Sequence, residues 1–351
     1  MIKGLMAISI ILTALTANGL TIEENLGRGG VNLAIGGEAN ALFSNPAGIP
    51  FTTAKVLEVN FMDSSLALSS DSMSFVKALN SASKSSRDKN KNISELLNKN
   101  IGKPLHLSAN NFSSISQSEA SFSWVVGVLS ALDASFITHT GFGSLGAMES
   151  QVDEYHALVG AIAKEENNFR YGLSIKAINR YQIAHNYSIT EMLEADSIGY
   201  YFDNEYKEKK FSMSVDAGLI YHMNENPYDL KIAFSLLNIG DTNFDALGRI
   251  NETSNVGIAV KPYKNMLVAI DYMDMFDQSN ESYVADNLRI GVANKFFKNS
   301  LELSSGIYNQ SLTLGVKYQL KYFNIGINTY KTKGYNNKKF REYQLSLAFN
   351  W

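Results

Sequence analysis

The chain ends in Tyr343-Gln344-Leu345-Ser346-Leu347-Ala348-Phe349-Asn350-Trp351. Alternate positions in this stretch form two faces. One face is apolar or aromatic at every position, and the other carries polar or small side chains. A soluble sheet with such an edge strand would be prone to aggregation. A strand that closes a barrel in lipid needs this pattern, because lipid contacts only apolar side chains and every backbone N–H and C=O must be paired. The C terminus therefore predicts the closing strand of a transmembrane β-barrel.

The same stretch resembles the C-terminal signal by which outer-membrane barrels are recognised for insertion. Gln344, Ser346, Phe349 and Trp351 fill its polar, small and aromatic positions, with Ser346 where glycine is usual. The resemblance implies a place in the bacterial outer membrane, with its lipid and the barrel-assembly machinery as partners. The alternative is the last strand of a soluble sheet, and the upstream sequence disfavours it.

Composition excludes several classes of function. The 351 residues carry 31 basic and 34 acidic side chains, without a basic stripe, so we expect no nucleic-acid partner. The absence of cysteine removes disulfides and thiolate chemistry. The aromatic residues are mostly Tyr (18) and Phe (19), which suit strands and the aromatic girdles of membrane barrels.

The N terminus has the pattern of a secretory signal peptide. Residues 4–17 are an apolar run behind Lys3, too short to cross about 30 Å of hydrocarbon as a helix. We predict a signal peptide at residues 1–19, cleaved after Gly19, with cleavage after Ala17 as the poorer alternative. A buried N-terminal helix is the competing interpretation.

Residues 20–50 are rich in Gly and Ala, which break helix and strand patterns, and they predict a compact irregular segment. The segment contains Gly36-Gly37-Glu38-Ala39-Asn40-Ala41-Leu42-Phe43-Ser44-Asn45-Pro46-Ala47-Gly48. This run resembles the long-chain fatty acid transporter (FadL-like) class of outer-membrane barrels. In that class the segment forms a plug, or hatch, inside a fourteen-stranded barrel. The resemblance makes Asn45, Pro46, Ala47 and Gly48 a candidate hatch motif and possible ligand route.

The rest of the chain, residues 51–351, shows period-two segments separated by turn signals, as in a barrel. We predict strands at 54–68, 105–116, 120–130, 152–166, 169–184, 211–223, 228–238, 254–261, 266–274, 286–297, 300–308, 311–320, 322–331 and 342–351. Tight connections alternate with longer ones, with the single exception of the short connection 309–310. This alternation is typical of short periplasmic turns and long extracellular loops. The predicted fold is all-β, a transmembrane antiparallel barrel of about fourteen strands with an N-terminal plug.

The longest loop, residues 69–104, predicts two short amphipathic helices. Phe75, Val76 and Leu79 have helical spacing, and so do Ile93, Leu96 and Leu97. These helices either pack on the barrel rim or present an apolar surface to a ligand or partner.

Three strands of the second half resemble the conjugal-transfer TraF-like group of outer-membrane proteins. They are Ser-Val-Asp-Ala-Gly-Leu-Ile-Tyr (214–221), Leu-Lys-Ile-Ala-Phe-Ser-Leu-Leu-Asn-Ile-Gly (230–240) and Val-Gly-Ile-Ala-Val-Lys-Pro (256–262). Each motif is loose, and the specificity lies in their order and spacing.

The sequence shows no catalytic, cofactor or metal signature. Gly141-Phe-Gly143-Ser-Leu-Gly146 fits a dinucleotide motif but lies in a predicted loop. The five histidines, His106, His139, His156, His185 and His222, form no pair at metal-ligand spacing. Barrel proteases and phospholipases use Asp/His or Ser/His groups, and no local signature for either is present. We therefore expect no enzyme, and we expect the charged residues of the lumen to pair with one another.

The resemblance implies a passive channel or transporter for small hydrophobic molecules. The alternative is a structural or docking barrel of a conjugation or secretion assembly, without transport, whose partners are components of that assembly.

Overall fold

The computed structural model describes residues 25–72, 74–75, 89–140, 146–188, 190, 208–278, 284–333 and 339–351. The predicted signal peptide and most of the Gly141–Gly146 motif lie outside these residues. The strands are β1 (Val56–Ser69), β2 (Pro104–Ser118), β3 (Phe122–Thr138), β4 (Met148–Glu166), β5 (Phe169–Tyr187), β6 (Glu208–His222), β7 (Lys231–Leu237), β8 (Thr242–Asn243), β9 (Arg249–Ile250), β10 (Thr253–Tyr263), β11 (Met266–Tyr272), β12 (Leu288–Phe296), β13 (Leu301–Tyr308), β14 (Ser311–Gln319), β15 (Phe323–Lys333) and β16 (Lys339–Asn350).

Within the described residues, fourteen of these strands close into one antiparallel barrel, which confirms the predicted all-β barrel of about fourteen strands. Each strand pairs with its neighbours in sequence, except that β7 pairs with β10 across the separate β8–β9 ribbon. β16 closes the barrel against β1, with Ser65 opposite Ser346 and Leu66 opposite Leu345. The barrel leaves no free strand edge, as a bilayer requires.

The connections alternate between short and long, as predicted. The turn between β4 and β5 is residues 167–168, and the one between β10 and β11 is residues 264–265. Two predictions about loops were wrong in extent. β3 and β4 extend into the loop predicted at 131–151, so the connection is residues 139–147. The loop predicted at 239–253 contains the β8–β9 ribbon and a short 3₁₀ helix, Asp245–Leu247.

β14 has an apolar outer face and a polar or small inner face. Leu314 is 50% exposed, whereas its neighbour Thr313 is fully buried. The end of the barrel with short turns carries exposed aromatic side chains, as expected for a girdle at a membrane interface. They are Phe122, Phe169, Tyr171, Tyr228, Tyr263, Phe296, Phe297, Tyr318, Tyr322 and Trp351.

Among the described residues, the end of the barrel with long loops carries α1 (Lys89–Lys99) and α2 (Val284–Asn287), and residues 70–72 and 74–75 are also helical. α1 covers part of the loop 69–104, and its Leu97 packs with Met148 and Tyr187 at the barrel rim. Val76 and Leu79, from the other predicted helix, lie outside the described residues. No helix within the described residues is both long and apolar enough to cross a membrane.

The described part of the N-terminal segment, residues 25–50, contains three 3₁₀ helices: Leu26–Arg28, Ala39–Phe43 and Pro46–Gly48. The first contacts β12 to β15, the second contacts β2, and the third contacts β4 to β6. These strands lie on different sides of the ring, so the segment reaches the inner wall in several directions.

Candidate functional site: the N-terminal segment and the inner barrel wall

Asn45 holds the bend at Pro46. Its backbone is extended, and its side-chain Oδ1 accepts a hydrogen bond from the Ala47 N–H at 3.0 Å. Pro46 occupies the first helical position, where a missing N–H costs nothing. The Asn45 amide also donates to the carbonyl oxygens of Leu33, at 3.0 Å, and of Leu219, at 3.4 Å. One side chain therefore caps the turn and ties it both to the segment and to β6.

Two glycines of the wall make room for this turn. Gly172 on β5 and Gly218 on β6 lie opposite each other in register. A Cβ at Gly172 would lie 2.2 Å from the Ala47 nitrogen, and one at Gly218 would lie 1.9 Å from Asn45 Oδ1. Both distances are impossible without movement. We call this pair the glycine notch. Glycine inside a strand is a sequence signal of close backbone approach, and it marks both of these positions.

A second contact of this kind holds the start of the segment. Gly291 on β12 and Gly306 on β13 are also opposite in register, and a Cβ at either would clash with Arg28 or Gly29. Thr313 accepts a hydrogen bond from the Gly29 N–H and donates one to the Gly27 carbonyl, both at 3.1 Å. Thr313 therefore lies against the segment, and not in a wet lumen.

Charged groups of the inner wall complete the attachment. Asp271 on β11 is buried, and its Oδ2 accepts the N–H groups of Asn32 at 2.7 Å and Leu33 at 3.0 Å. The Arg289 guanidinium donates to the Gly30 carbonyl at 3.2 Å. Lys317 pairs with Glu38 at 3.2 Å. These charged wall residues are thus partnered by the N-terminal segment.

On the side of β2 to β5, the segment meets an apolar patch of the inner wall, which is formed mainly by β3 and β4. Leu42, Phe43 and Ile49 pack into one buried cluster with inward side chains of those strands and with two residues of the loop between β8 and β9. Phe43 meets Phe112 edge-to-face, with ring centroids 5.1 Å apart. The wall and loop members are Phe112, Val125, Leu129, Ala131, Tyr155, Ala157, Val159, Ala161, Ala163, Ile178, Phe244 and Leu247.

Two polar cavities lie between the segment and the end of the barrel with short turns. The larger, about 580 Å³, is lined by charged residues that include Arg28, Glu38 and Lys231. The smaller, about 290 Å³, is lined by Asn and Ser side chains of β1 and β13 to β16. The residues lining either cavity do not include Asn45, Pro46, Ala47 or Gly48.

The four residues of the predicted insertion signal occupy both faces of β16. Gln344 points inward, accepting from Asn328 at 2.9 Å and donating to Ser65 at 3.2 Å. Ser346 lines the smaller cavity. The ring of Phe349 lies 5.0 Å from that of Phe323, and exposed Trp351 stacks on Tyr322 at 5.3 Å. Gln344 and Ser346 thus lie on the inner face of β16, and Phe349 and Trp351 lie among the aromatic side chains at the short-turn end.

Among the described residues, no group of three or more His, Asp or Glu side chains could hold a metal ion.

Comparison with known proteins gives a likeness in structure and none in sequence. No protein-family model and no curated protein matches the chain. The toluene transporter TbuX of Ralstonia pickettii aligns with a TM-score of 0.60 and 12% identity, over 96% of this chain and 99% of that one. The monoaromatic hydrocarbon channel CymD gives 0.57 and 11%, over 96% and 97%. The Pseudomonas putida toluene transporter TodX gives 0.52 and 11%, over 96% and 97%.

The chain shares the fold of these hydrocarbon channels. At this level of identity the likeness concerns the fold alone, and the function has to be argued from the residues.

Proposed function

We propose that the chain is a passive channel for small hydrophobic molecules in a bacterial outer membrane, with residues 20–50 acting as its plug. The observation that carries the proposal is the apolar inner face of β3 and β4, which Phe112 of β2 and Ile178 of β5 extend by one side chain each. A barrel that only holds water has a polar interior. Here the inner wall carries aromatic and aliphatic side chains packed against Leu42, Phe43 and Ile49.

The plug would act through its attachment. The turn at Asn45 and Pro46 is held at the glycine notch by hydrogen bonds, and the apolar residues on both sides of it fill the space beside the wall. Passage of a hydrophobic molecule along β3 and β4 would require these apolar side chains to move. The turn is thus the element that keeps the route closed.

The finer resemblance to the TraF-like group rests on the three strand motifs of the second half. The docking role in a conjugation or secretion assembly has no contact or surface within the described residues that favours it, and the experiment below separates it from transport.

The test is uptake of radiolabelled toluene by proteoliposomes. Replacing Asn45 and Pro46 with alanine should raise the uptake rate, because the turn loses its cap and its hydrogen bonds to Leu33 and β6. The chain offers a matched control in Asn226 and Pro227, another Asn-Pro pair, where Asn226 caps the Tyr228 N–H at 2.9 Å in an exposed turn. Alanine at those two positions should leave uptake unchanged. Equal uptake by protein-free liposomes, the unmodified protein and both variants would exclude transport and favour the docking role.

A further inference from the structure

A row of polar side chains crosses the lipid-facing side of the wall. Ser64, Asn111, Ser130, His156 and Asn179 lie directly opposite one another on five adjacent strands, β1 to β5. Their sequence neighbours Ser65, Phe112, Leu129, Ala157 and Ile178 are buried on the inner face, so the row faces outward. Polar groups on the lipid face of a barrel are destabilising near the midplane of the membrane and are tolerated near its interfaces.

Three residues at the centre of the row have the geometry of a nucleophile, a base and an orienting acid. Ser130 Oγ lies 3.1 Å from His156 Nδ1, and His156 Nε2 lies 2.8 Å from Glu154 Oε1. With its proton on Nε2, the ring donates to Glu154 and presents the Nδ1 lone pair to the Ser130 hydroxyl. This is the arrangement by which a carboxylate fixes the tautomer of a histidine that activates a serine. Ser130 and His156 are 26 residues apart, which is why no local motif reveals them.

An apolar groove on the outer face leads to this group. Its volume is about 680 Å³, and Ser130 and Asn111 lie among its lining residues. The register of β1 shifts between Asn60 and Asp63, beside this groove. The apolar lining is Val59, Phe61, Met62, Ile115, Val126, Val128 and Leu158. These side chains suit an acyl chain.

The height of the group on the wall suits a lipid ester. His156 lies ten residues before the end of β4 at Glu166, beside the short-turn end of the barrel. On the outer face of β4, the charged Lys164 and Glu166 occupy that end, and the exposed apolar residues are Leu158 and Ile162. This apolar run ends at His156 toward the long loops, so the triad lies at the edge of the apolar band, where acyl chains join the headgroups.

We propose that Ser130, His156 and Glu154 form a catalytic triad that hydrolyses acyl esters of lipids in the surrounding membrane, with the acyl chain held in the groove. Asn111, opposite Ser130 in register, is the proposed side-chain donor to the oxyanion. Its Oδ1 accepts from Ser64 at 2.8 Å, which leaves the amide Nδ2 as the donor; that nitrogen has a contact with Ser113 Oγ at 3.5 Å.

The chemistry balances with water as the only co-reactant. Ser130 Oγ attacks the ester carbonyl carbon while His156 takes the hydroxyl proton. The C–O bond to the lipid alcohol then breaks, and His156 returns the proton to the leaving oxygen, which leaves the acyl group on Ser130. Water attacks this second ester, His156 takes one of its protons and returns it to Ser130 Oγ. The products are one fatty acid and one deacylated lipid.

The first test uses purified protein in detergent with p-nitrophenyl dodecanoate and a fluorophosphonate probe. The unmodified protein should hydrolyse the ester and carry the probe on Ser130, located by mass spectrometry. Ser130→Ala should lose the label, and Ser130→Ala and His156→Ala should each lower the rate by about 100-fold or more. Glu154→Gln should retain the label and lower the rate. Ser305→Ala is the matched control, because Ser305 also faces outward but lies between Val292 and Leu314 with no histidine beside it.

The second test separates the lipid sources. Fatty acid release is measured from phospholipid vesicles and from purified lipopolysaccharide, with heat-modifiability as the check that each variant is folded. Release from either lipid that depends on Ser130 supports the proposal and names the source. Equal rates for the unmodified protein and Ser130→Ala, or no release from both lipids, would overturn it. Neither readout depends on passage through the lumen.

Discussion

Lys176 on β5 and Asp216 on β6 show how single residues stabilise the inner wall. The two side chains are buried, with Nζ and Oδ1 2.9 Å apart. Asp216 also accepts the Ser174 hydroxyl at 2.6 Å and the Asn238 N–H at 2.8 Å. A buried charge is tolerated when it is paired and its remaining lone pairs are satisfied. This pair therefore ties β5 and β6 together beside the glycine notch.

Replacing Lys176 with methionine should lower the free energy of unfolding by about 3–5 kcal/mol, because Asp216 would stay buried without its counter-charge. Urea unfolding of the protein in lipid vesicles measures this. The double variant Lys176→Met, Asp216→Asn should recover part of the loss, since no charge is then left. A single variant as stable as the unmodified protein would show that the pair is not buried.

The facing of β14 can be tested on one strand. Leu314→Arg places a charge in lipid and should cost about 2–4 kcal/mol near the midplane. Gln319→Arg, on the same strand, enters the wall of the two polar cavities and should be tolerated. Membrane levels of folded protein compare the two variants. If the two variants lost folded protein to a similar extent, Leu314 would not lie on the lipid face. Thr313 is unsuitable as the inward control, because its hydroxyl holds Gly27 and Gly29.

At the scale of elements, β16 depends on its last residues for closure. The backbones of Trp351 and Val59 exchange two hydrogen bonds, at 2.8 and 2.9 Å, and Phe349 pairs with Met62. Removing residues 349–351 should block assembly, because β16 loses these bonds and its aromatic end. Heat-modifiability and membrane fractionation report the outcome. Asn350→Ala, which keeps the chain length, should assemble normally, and normal assembly of the truncated chain would contradict the role of the terminus.

At the long-loop end, Asp286 of α2 pairs with Lys333 at 2.6 Å and with Lys339 at 3.0 Å, which ties α2 to β15 and β16. Burial raises the pKa of this carboxyl, but the hydrogen bonds and charges of the two lysines outweigh burial and lower its pKa below 3.8. A folded pKa below the unfolded value means that the stabilisation is complete above about pH 4 and is lost as the pH falls through the folded pKa.

Hydrogen exchange at residues 284–287 should therefore be slow at neutral pH and should speed up below about pH 4, beyond the intrinsic effect of pH on exchange. Asp286→Asn should exchange fast at both pH values. If the exchange rate rose by the same factor in both proteins as the pH falls, the change would come from another titrating group.

Elements differ in how well the sequence predicts them, and the reason is physical. All fourteen barrel strands were predictable. Each strand has lipid on one side and the barrel interior on the other, and this imposes a period of two on its side chains. β8 and β9 were missed, since two-residue strands have no period to detect. The exact ends of β3 and β4 were missed because their outward Ala134 and Val152 pack in a rim cluster away from the apolar band.

Of the candidate site, only the residues of the N-terminal segment were predictable from the sequence, and their partners on the wall were not. The Asn45-Pro46 bend has a local cause, because proline has a fixed φ and asparagine can cap the turn through its side chain. The partners of that bend, Gly172 and Gly218, are two among 25 glycines. Nothing in the sequence says which glycines of the wall are opposite in register, because register across strands depends on closure of the whole barrel.

At the scale of the whole molecule, a closed barrel and a segment attached to its inner wall respond differently to perturbation. The barrel is held by hydrogen bonds between neighbouring strands around a complete ring. The segment is held by a few side chains and by two pairs of small wall positions. A change at the glycine notch should therefore alter the segment while the barrel stays heat-modifiable and membrane-bound.

The most direct test of the proposed function is toluene uptake by proteoliposomes that contain Gly172→Ala. The new methyl group would lie 2.2 Å from the backbone of Pro46 and Ala47, so the segment must leave the notch. Gly160→Ala is the matched control on the neighbouring strand, where the nearest atom to a Cβ is 3.9 Å away. We predict faster uptake for Gly172→Ala and unchanged uptake for Gly160→Ala, at equal amounts of folded protein. Uptake by both variants and the unmodified protein at the rate of protein-free liposomes would contradict the proposal.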